Sequence, residues 1–306
     1  MTYRFERALA RLPARTVHLM KTRLGFDAFL GVAGALVLLR LFDANPWTLP
    51  ILDLHAYWAT HESISYAGSN PFLIGAYLYA PAFAQLINPL TAFPWPIFAA
   101  TWTLLTVAVY VWLVGRWAFP VLFSMAVALE MYLGQIDIFI AAAIVVGFRY
   151  PAAWAFPLLT KVAPGVGLVW FLVRKEWRNL AIAIAATVGI AALSAMFAPE
   201  AWRGWFDLLR RSVTDRQTIE GDYLAIPIWL RLPIGVAIIA WGARTNRRWT
   251  VPIGVLLSMP ILWVNVFTIL IAIIPLRREL GWTPARAWLV HSRPTKRPAL
   301  VRVEPG

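Results

Sequence analysis

Three charged side chains stand out because an otherwise apolar chain surrounds them. Asp53 follows the first long apolar run and lies beside aromatic residues, where a carboxylate can act as a general base. Lys161 and Arg231 lie within apolar runs, where a charge is costly and is a functional candidate by default. Lysine is a compact cation with three donors, so Lys161 could hold a phosphate, with Arg231 as a second phosphate ligand.

Each of these residues also has a structural interpretation. Asp53 could be a helix N-cap or a solvated loop acid. Lys161 could extend its ammonium to the membrane interface. Arg231 could pair with an acid, and Glu130, a further charge in an apolar run, could be hydrogen-bonded packing.

Several chemistries are excluded or disfavoured by the sequence. There is no cysteine, which excludes disulfides and thiolate catalysis. His55 and His61 share a loop with acids, but their spacing is not that of a metal site, so no metal and no cofactor are predicted. No glycine-rich phosphate loop, Gly-x-Ser-x-Gly or His-Glu-x-x-His motif is present.

Composition places these residues in a membrane protein. The 306 residues are 60% hydrophobic and only 14% charged, and the mean hydropathy is +0.65. A soluble domain carries roughly 25% charged residues. Because backbone polar groups in hydrocarbon must be paired internally, the apolar runs predict helices. We expect an all-α, polytopic transmembrane bundle of about 8–10 membrane helices, several of them short or broken.

The predicted membrane segments form one domain, residues 26–276. The apolar runs are 26–42, 77–94, 96–115, 117–133, 136–148, 151–173, 179–198, 224–243 and 249–275. Residues 43–76 and 199–223 are predicted to be outer loops. In the second of these, Trp202, Trp205, Phe206 and Leu209 have the spacing of an amphipathic helix at the interface.

The net charge of +13 is concentrated in clusters that flank the apolar runs. The basic segments 1–25 and 277–306 are therefore predicted to be cytoplasmic, in a multi-pass protein of the cell (cytoplasmic) membrane. Their partners are expected to be membrane lipids and not nucleic acid.

Two topologies fit the charges. In the first, every run before Arg174 is a full span. In the second, which we prefer, 77–94 dips into the membrane and returns, and 151–173 is split around residues 161–164. The second topology obeys the positive-inside rule at more flanks. It places Asp53, the turn 134–137 and Lys161 at the outer face.

The order of several short motifs resembles a known family. After Asp53 and Tyr57 come Asn70-Pro71-Phe72, Tyr79-Ala80-Pro81, Asn88-Pro89-Leu90, Gly134-Gln135-Ile136-Asp137, Lys161-Val162-Ala163-Pro164 and Pro260-Ile261-Leu262-Trp263. Over residues 26 to 280 this pattern resembles glycosyltransferase family 87. These are bacterial polyprenyl-phosphate-mannose-dependent mannosyltransferases of the GT-C superfamily.

The resemblance implies inverting transfer of a hexose from a polyprenyl-phosphate sugar donor to a glycan or glycolipid acceptor at the outer face. Mannose is the expected hexose. The resemblance also makes Asp53 the catalytic base. The residues expected to bind substrate are Tyr57, Tyr79, Gln135, Asp137, Lys161, Arg231, Trp263 and Asn265. Asn265 stands where members commonly carry histidine, and the chain is shorter than most members, which implies an altered acceptor or a degenerate homologue.

The main alternative is a transporter or lipid-carrier flippase. Transporters often contain internal repeats and paired broken helices. No internal repeat is visible, and the outer loops are long and carry acids, which favours the enzyme. A non-catalytic scaffold would have no reason to bury Lys161.

Overall fold

The computed structural model describes residues 52–64, Tyr66, 77–214 and 226–277. This part of the chain is helical and contains no strand, which confirms the predicted all-α class. The predicted first span 26–42, the segment 1–25 and nearly all of the tail 277–306 lie outside the described residues, so the proposed domain limits stay predictions.

Most of the described helices are shorter than a membrane span. They are α1 (Leu52–Trp58), α2 (Pro81–Thr91), α3 (Trp95–Val114), α4 (Ala118–Leu122), α5 (Met125–Leu133), α6 (Asp137–Gly147), α7 (Ala155–Thr160), α8 (Val169–Val173), α9 (Trp177–Phe197), α10 (Pro199–Thr214), α11 (Ile228–Arg244), α12 (Thr250–Ser258) and α13 (Ile273–Leu276). Segments of 3₁₀ helix cover Ala59–His61, Gly115–Trp117, Pro151–Trp154, Ala163–Leu168 and Val264–Ala272.

Within the described residues, α3 and α9 are long and apolar enough to cross a membrane. They coincide closely with the predicted runs 96–115 and 179–198. Helices α5 and α6 reach that length only together, and they are bent by 109° at the break between them. Only 11% of the apolar window of α9 is buried within the protein, as expected of a helix that faces lipid.

The run 151–173 is broken at Lys161. Helix α7 ends at Thr160, Lys161 has the non-helical backbone angles φ −126° and ψ 74°, and a 3₁₀ helix begins at Ala163. Pro164 lacks an N–H and favours the start of a helix over its interior, which accounts for the break. The second topology requires this break, but the membrane side on which it lies stays a prediction.

Trp154 holds the segments around this break together. It is fully buried and lies between Gly147 at the end of α6 and Gly167 in the following 3₁₀ segment. A Cβ atom at either glycine would overlap the indole ring. The two glycines therefore allow α6 and the 3₁₀ segment to approach the same ring, which fixes the geometry next to Lys161.

The run 249–275 differs from the continuous helix expected of it. Helix α12 ends at Ser258, Met259 and Trp263 are extended, and 3₁₀ helix begins at Val264. Pro260 has no N–H to continue a helix. The interruption introduces a loop, residues 259–263, between two buried segments.

Helix α10 confirms the amphipathic pattern predicted for residues 199–223. Its buried side chains Trp202, Trp205 and Leu208 pack against Tyr66 and the start of α2. The indole N–H of Trp205 donates to the Leu78 carbonyl at 3.1 Å. The apolar face therefore contacts protein, and the position of α10 at the membrane interface stays a prediction.

Candidate active site

The bend between α5 and α6 brings polar residues into the helix bundle. Gly134 closes α5 in the left-handed conformation, with φ 71°, which a residue with a side chain rarely adopts. Its carbonyl accepts a hydrogen bond from Trp102 Nε1 at 2.9 Å. Gln135 follows the bend, and α6 then begins at Asp137.

Glu130 joins the two halves of this bent pair. Its Oε1 atom accepts hydrogen bonds from the backbone N–H groups of Asp137, at 2.6 Å, and Ile138, at 3.2 Å. The first N–H groups of a helix lack partners within the helix, and a carboxylate there is favoured. Glu130 is fully buried. The sequence left a functional role and hydrogen-bonded packing both open for Glu130, and in the structure its carboxylate binds the backbone of the residues that start α6.

The central feature is a cluster of four side chains, which we call the acid–lysine cluster: Glu130 in α5, Asp137 in α6, Lys161 after α7 and Asn265 in the 3₁₀ segment Val264–Ala272. Lys161 Nζ lies 2.6 Å from Asp137 Oδ1. Asn265 Nδ2 donates to Asp137 Oδ2 and to Glu130 Oε2, at 3.3 Å each. The Asp137 side chain is fully buried, whereas that of Lys161 remains 21% exposed. The cluster therefore has a buried acidic side and an accessible cationic side.

Asp53 lies close to this cluster. It is in the first turn of α1, one turn before Tyr57, and α1 begins at Leu52, so Asp53 is within the helix and is not its N-cap. Its carboxylate accepts a hydrogen bond from the Gln135 side chain. Burial raises the pKa of the Asp53 carboxyl, and nearby Asp137 raises it further, while the Gln135 hydrogen bond and the charge of Lys161 act in the opposite direction.

A chain of tyrosines orients Gln135. The hydroxyl of Tyr79 donates to Gln135 Oε1 at 3.3 Å and lies 2.9 Å from the hydroxyl of Tyr57. Tyr66 donates to the Tyr79 carbonyl at 2.5 Å. Because the oxygen of the Gln135 amide accepts from Tyr79, its NH₂ group is directed towards Asp53.

Arg231 and Trp263, two of the residues predicted to bind substrate, are not among the hydrogen-bonded residues around Asp53 and Lys161 described above. Arg231 is 2% exposed, and its guanidinium donates to main-chain carbonyls, those of Ile226, Met259 and Pro260. These bonds are to the main chain, and the predicted role of Arg231 as a phosphate ligand stays a prediction. Trp263 is partly buried against the hydrophobic core and precedes the 3₁₀ segment that carries Asn265.

The structure thus brings Asp53, Gln135, Asp137, Lys161 and Asn265 together, with Tyr57 and Tyr79 adjoining. No group of three His, Asp or Glu side chains suited to a metal ion is found among the described residues. Glu130 is the residue whose part in the site sequence reasoning missed, although an acid in an apolar run was the available signal.

Fold and site together define an all-helical membrane protein with acids and a lysine gathered at two helix breaks. The sequence model of glycosyltransferase family 87 matches residues 77–290, about two thirds of the chain. The chain belongs to this family and is a membrane glycosyltransferase, which confirms the resemblance noted in the sequence. Searches of curated proteins and of solved structures found no match.

Proposed function

We propose that the protein transfers a hexose from a polyprenyl-phosphate donor to a hydroxyl group of a glycan or glycolipid acceptor. Mannose is the hexose that we favour. The reaction takes place at the outer face of the cytoplasmic membrane and inverts the anomeric centre. The observation that carries this proposal is the juxtaposition of Asp53, a partly buried carboxylate, with Lys161, a partly exposed cation. A lipid-linked donor also suits a site built from broken membrane helices.

Asp53 is the proposed general base. As the acceptor oxygen attacks the anomeric carbon, its proton passes to the Asp53 carboxylate. The bond between the anomeric carbon and the phosphate oxygen breaks, and its electron pair leaves on the polyprenyl phosphate. Attack on the face opposite the leaving group inverts the centre. A base becomes more effective as its pKa approaches the working pH, and burial moves the pKa of Asp53 in that direction.

Lys161 is proposed to stabilise the departing phosphate. A phosphate is already a weak base, so it needs electrostatic support more than a proton. The ammonium group has three donors, and the hydrogen bond to Asp137 uses one of them. Asp137 is fully buried and bound to Lys161 and Asn265, so it is suited to hold the lysine and not to meet an acceptor hydroxyl.

The aromatic residues are proposed to shape the sugar site. Tyr79 orients Gln135, which in turn orients the Asp53 carboxylate. Tyr57 supports Tyr79 through their hydroxyl groups. Trp263 is partly exposed at the end of the loop 259–263, where its ring could stack on a sugar.

The test is transfer by purified protein in liposomes that contain radiolabelled polyprenyl-phosphate mannose, with the glucose donor for comparison. The proposal expects label in a glycan or glycolipid product whose anomeric configuration is opposite to that of the donor. Movement of the labelled lipid between leaflets without a glycosidic product would instead support a flippase, and a product of retained configuration would contradict the mechanism.

Membrane sidedness is tested separately in this cysteine-free chain. Single cysteines at Glu62 and at Leu300 can be treated with a membrane-impermeant thiol reagent in intact cells. The proposal expects labelling at position 62 and protection at position 300. Labelling at position 300 would contradict the orientation.

A further inference from the structure

Arg231 lies at the open end of a helix pair and binds the backbone of the loop 259–263. Its Nη1 atom donates to the Met259 carbonyl at 2.8 Å and, more weakly, to that of Leu257 at 3.5 Å. Its Nη2 atom donates to the Pro260 carbonyl at 3.0 Å. Its Nε atom donates to the carbonyl of Ile226, just before α11, at 2.6 Å. One guanidinium therefore ties the start of α11 to the end of α12.

These carbonyls need such a donor. Leu257 is in the last turn of α12, whose carbonyls have no partner within the helix, and Met259 and Pro260 follow the helix end at Ser258. The chain then becomes extended at Met259, and Pro260 contributes no N–H. In apolar surroundings a carbonyl without a partner is unfavourable, because no water replaces the lost bond. A guanidinium presents several donors in a rigid fork, which lysine does not.

Arg231 belongs to a pair of closely packed helices. Helices α11 and α12 approach closely where Gly235 faces Gly254. A Cβ atom added at Gly235 would lie 2.8 Å from the Gly254 carbonyl oxygen. Farther along, Gly242 packs against Thr250. Small residues at such crossings let helix backbones meet, so the pair can hold Arg231 in a fixed place.

The loop that Arg231 binds is connected at each end to residues in or next to the acid–lysine cluster. At its start, the Ser258 hydroxyl shares its one proton between the carbonyl of Val255, at 2.7 Å, and that of Ala163, two residues after Lys161, at 3.0 Å. Beyond its end, Asn265 bonds to Glu130 and Asp137. Met259 and Leu262 are buried, which anchors the loop between these two contacts. A shift of the loop would therefore move Asn265 relative to the two carboxylates.

We propose that Arg231 is a positioning residue, not a ligand of the donor phosphate: it holds the loop 259–263 so that Asn265 stays between Glu130 and Asp137. The activity readout rests on the function proposed above. The conformational readout does not depend on that function. A failure of the positioning role of Arg231 can therefore be distinguished from a failure of the proposed glycosyl transfer.

The conformational test uses a single cysteine at Ile261, labelled with a nitroxide and examined by electron paramagnetic resonance in purified protein. Arg231→Met is expected to increase the mobility of the label, and Arg231→Lys to increase it less, since one ammonium can reach some of the carbonyls. Arg244→Met, an exposed arginine in the last turn of the same helix, is the control and is expected to leave the spectrum unchanged. An unchanged spectrum in Arg231→Met would overturn the proposal. If Arg231→Met does not fold, Arg231→Lys and Arg231→Gln carry the same test.

The kinetic test uses polyprenyl-phosphate mannose as donor. Misplacement of a residue near a reacting centre by about 1 Å can lower a rate on the order of 10²-fold, so Arg231→Met should lower kcat 10- to 100-fold with little change in the donor KM. When Asn265 is already alanine, Arg231→Met should add little further loss, because both changes act through the same contact. A raised donor KM with kcat unchanged, or fully additive losses, would contradict the proposal.

Discussion

Replacing Lys161 with methionine is expected to destabilise the protein more than replacing Asp137 with asparagine. The two partners differ in exposure, since the Asp137 side chain is fully buried and the Lys161 side chain is 21% exposed. Lys161→Met leaves a buried carboxylate that shares the Asn265 amide with a second carboxylate, that of Glu130. Leaving one charge of a buried pair without its partner destabilises by about 3–5 kcal/mol.

Asp137→Asn has a smaller expected effect. Lys161 can then turn its ammonium towards water along its apolar stem, and asparagine keeps the shape of the side chain. The loss is about 1–3 kcal/mol, the range for a buried hydrogen bond that loses one partner. The double variant Lys161→Met with Asp137→Leu removes both charges and should recover most of the stability lost in Lys161→Met, because an apolar pair can replace a buried ion pair.

The assay is unfolding of the purified variants in one detergent, with transfer activity measured in parallel. The double variant is expected to be stable and inactive, which separates the structural part of the pair from the catalytic part of Lys161. A Lys161→Met variant as stable as the wild type, or one more stable than Asp137→Asn, would refute the account of the acid–lysine cluster.

Two further predictions concern other residues. Gln135→Leu removes the hydrogen bond that lowers the pKa of Asp53, so that pKa rises, and the acid limb of kcat/KM, which follows ionisation of the base, should move to higher pH. The control Gln85→Leu should leave the acid limb of kcat/KM at its wild-type pH. An acid limb that also stays unchanged in Gln135→Leu would contradict the hydrogen bond between Gln135 and Asp53. Gly167→Ala places a methyl group against Trp154 and should destabilise by about 1–3 kcal/mol. In Gly189→Ala the added methyl group meets nothing within 4 Å, so this variant should keep the stability of the wild type. Equal unfolding free energies for the two glycine variants would argue against the packing of Trp154 described above.

The sequence predicted the breaks in the helices better than the contacts across them. Gly134 and the stretch from Lys161 to Pro164 interrupt apolar runs with residues whose backbone or charge disfavours a continuous membrane helix. The break after Ser258 was not predicted, because a single proline within a long apolar run is also compatible with a kinked helix.

The partners of buried polar side chains were not predictable in the same way. Hydropathy shows that Glu130 and Arg231 lie within apolar runs, but it does not show which backbone atoms face them. Glu130 binds N–H groups at the start of the next helix, and Arg231 binds carbonyls more than twenty-five residues away along the chain. Such contacts depend on the packing of separate helices. Asp53 and Gln135, by contrast, were placed on one face by the preferred topology and in one site by the family resemblance.

The proposed role of Asp53 is tested most directly by Asp53→Asn. Asparagine keeps the size of the side chain but cannot take the proton of the acceptor hydroxyl. Asp207→Asn, an exposed acid on α10 that is paired with Arg210, is the matched control. Both variants are compared with the wild type for expression, unfolding and transfer of labelled mannose in liposomes. The account predicts that Asp53→Asn folds normally and loses about 10²–10⁴ in rate. Transfer at the wild-type rate by well-folded Asp53→Asn would contradict it.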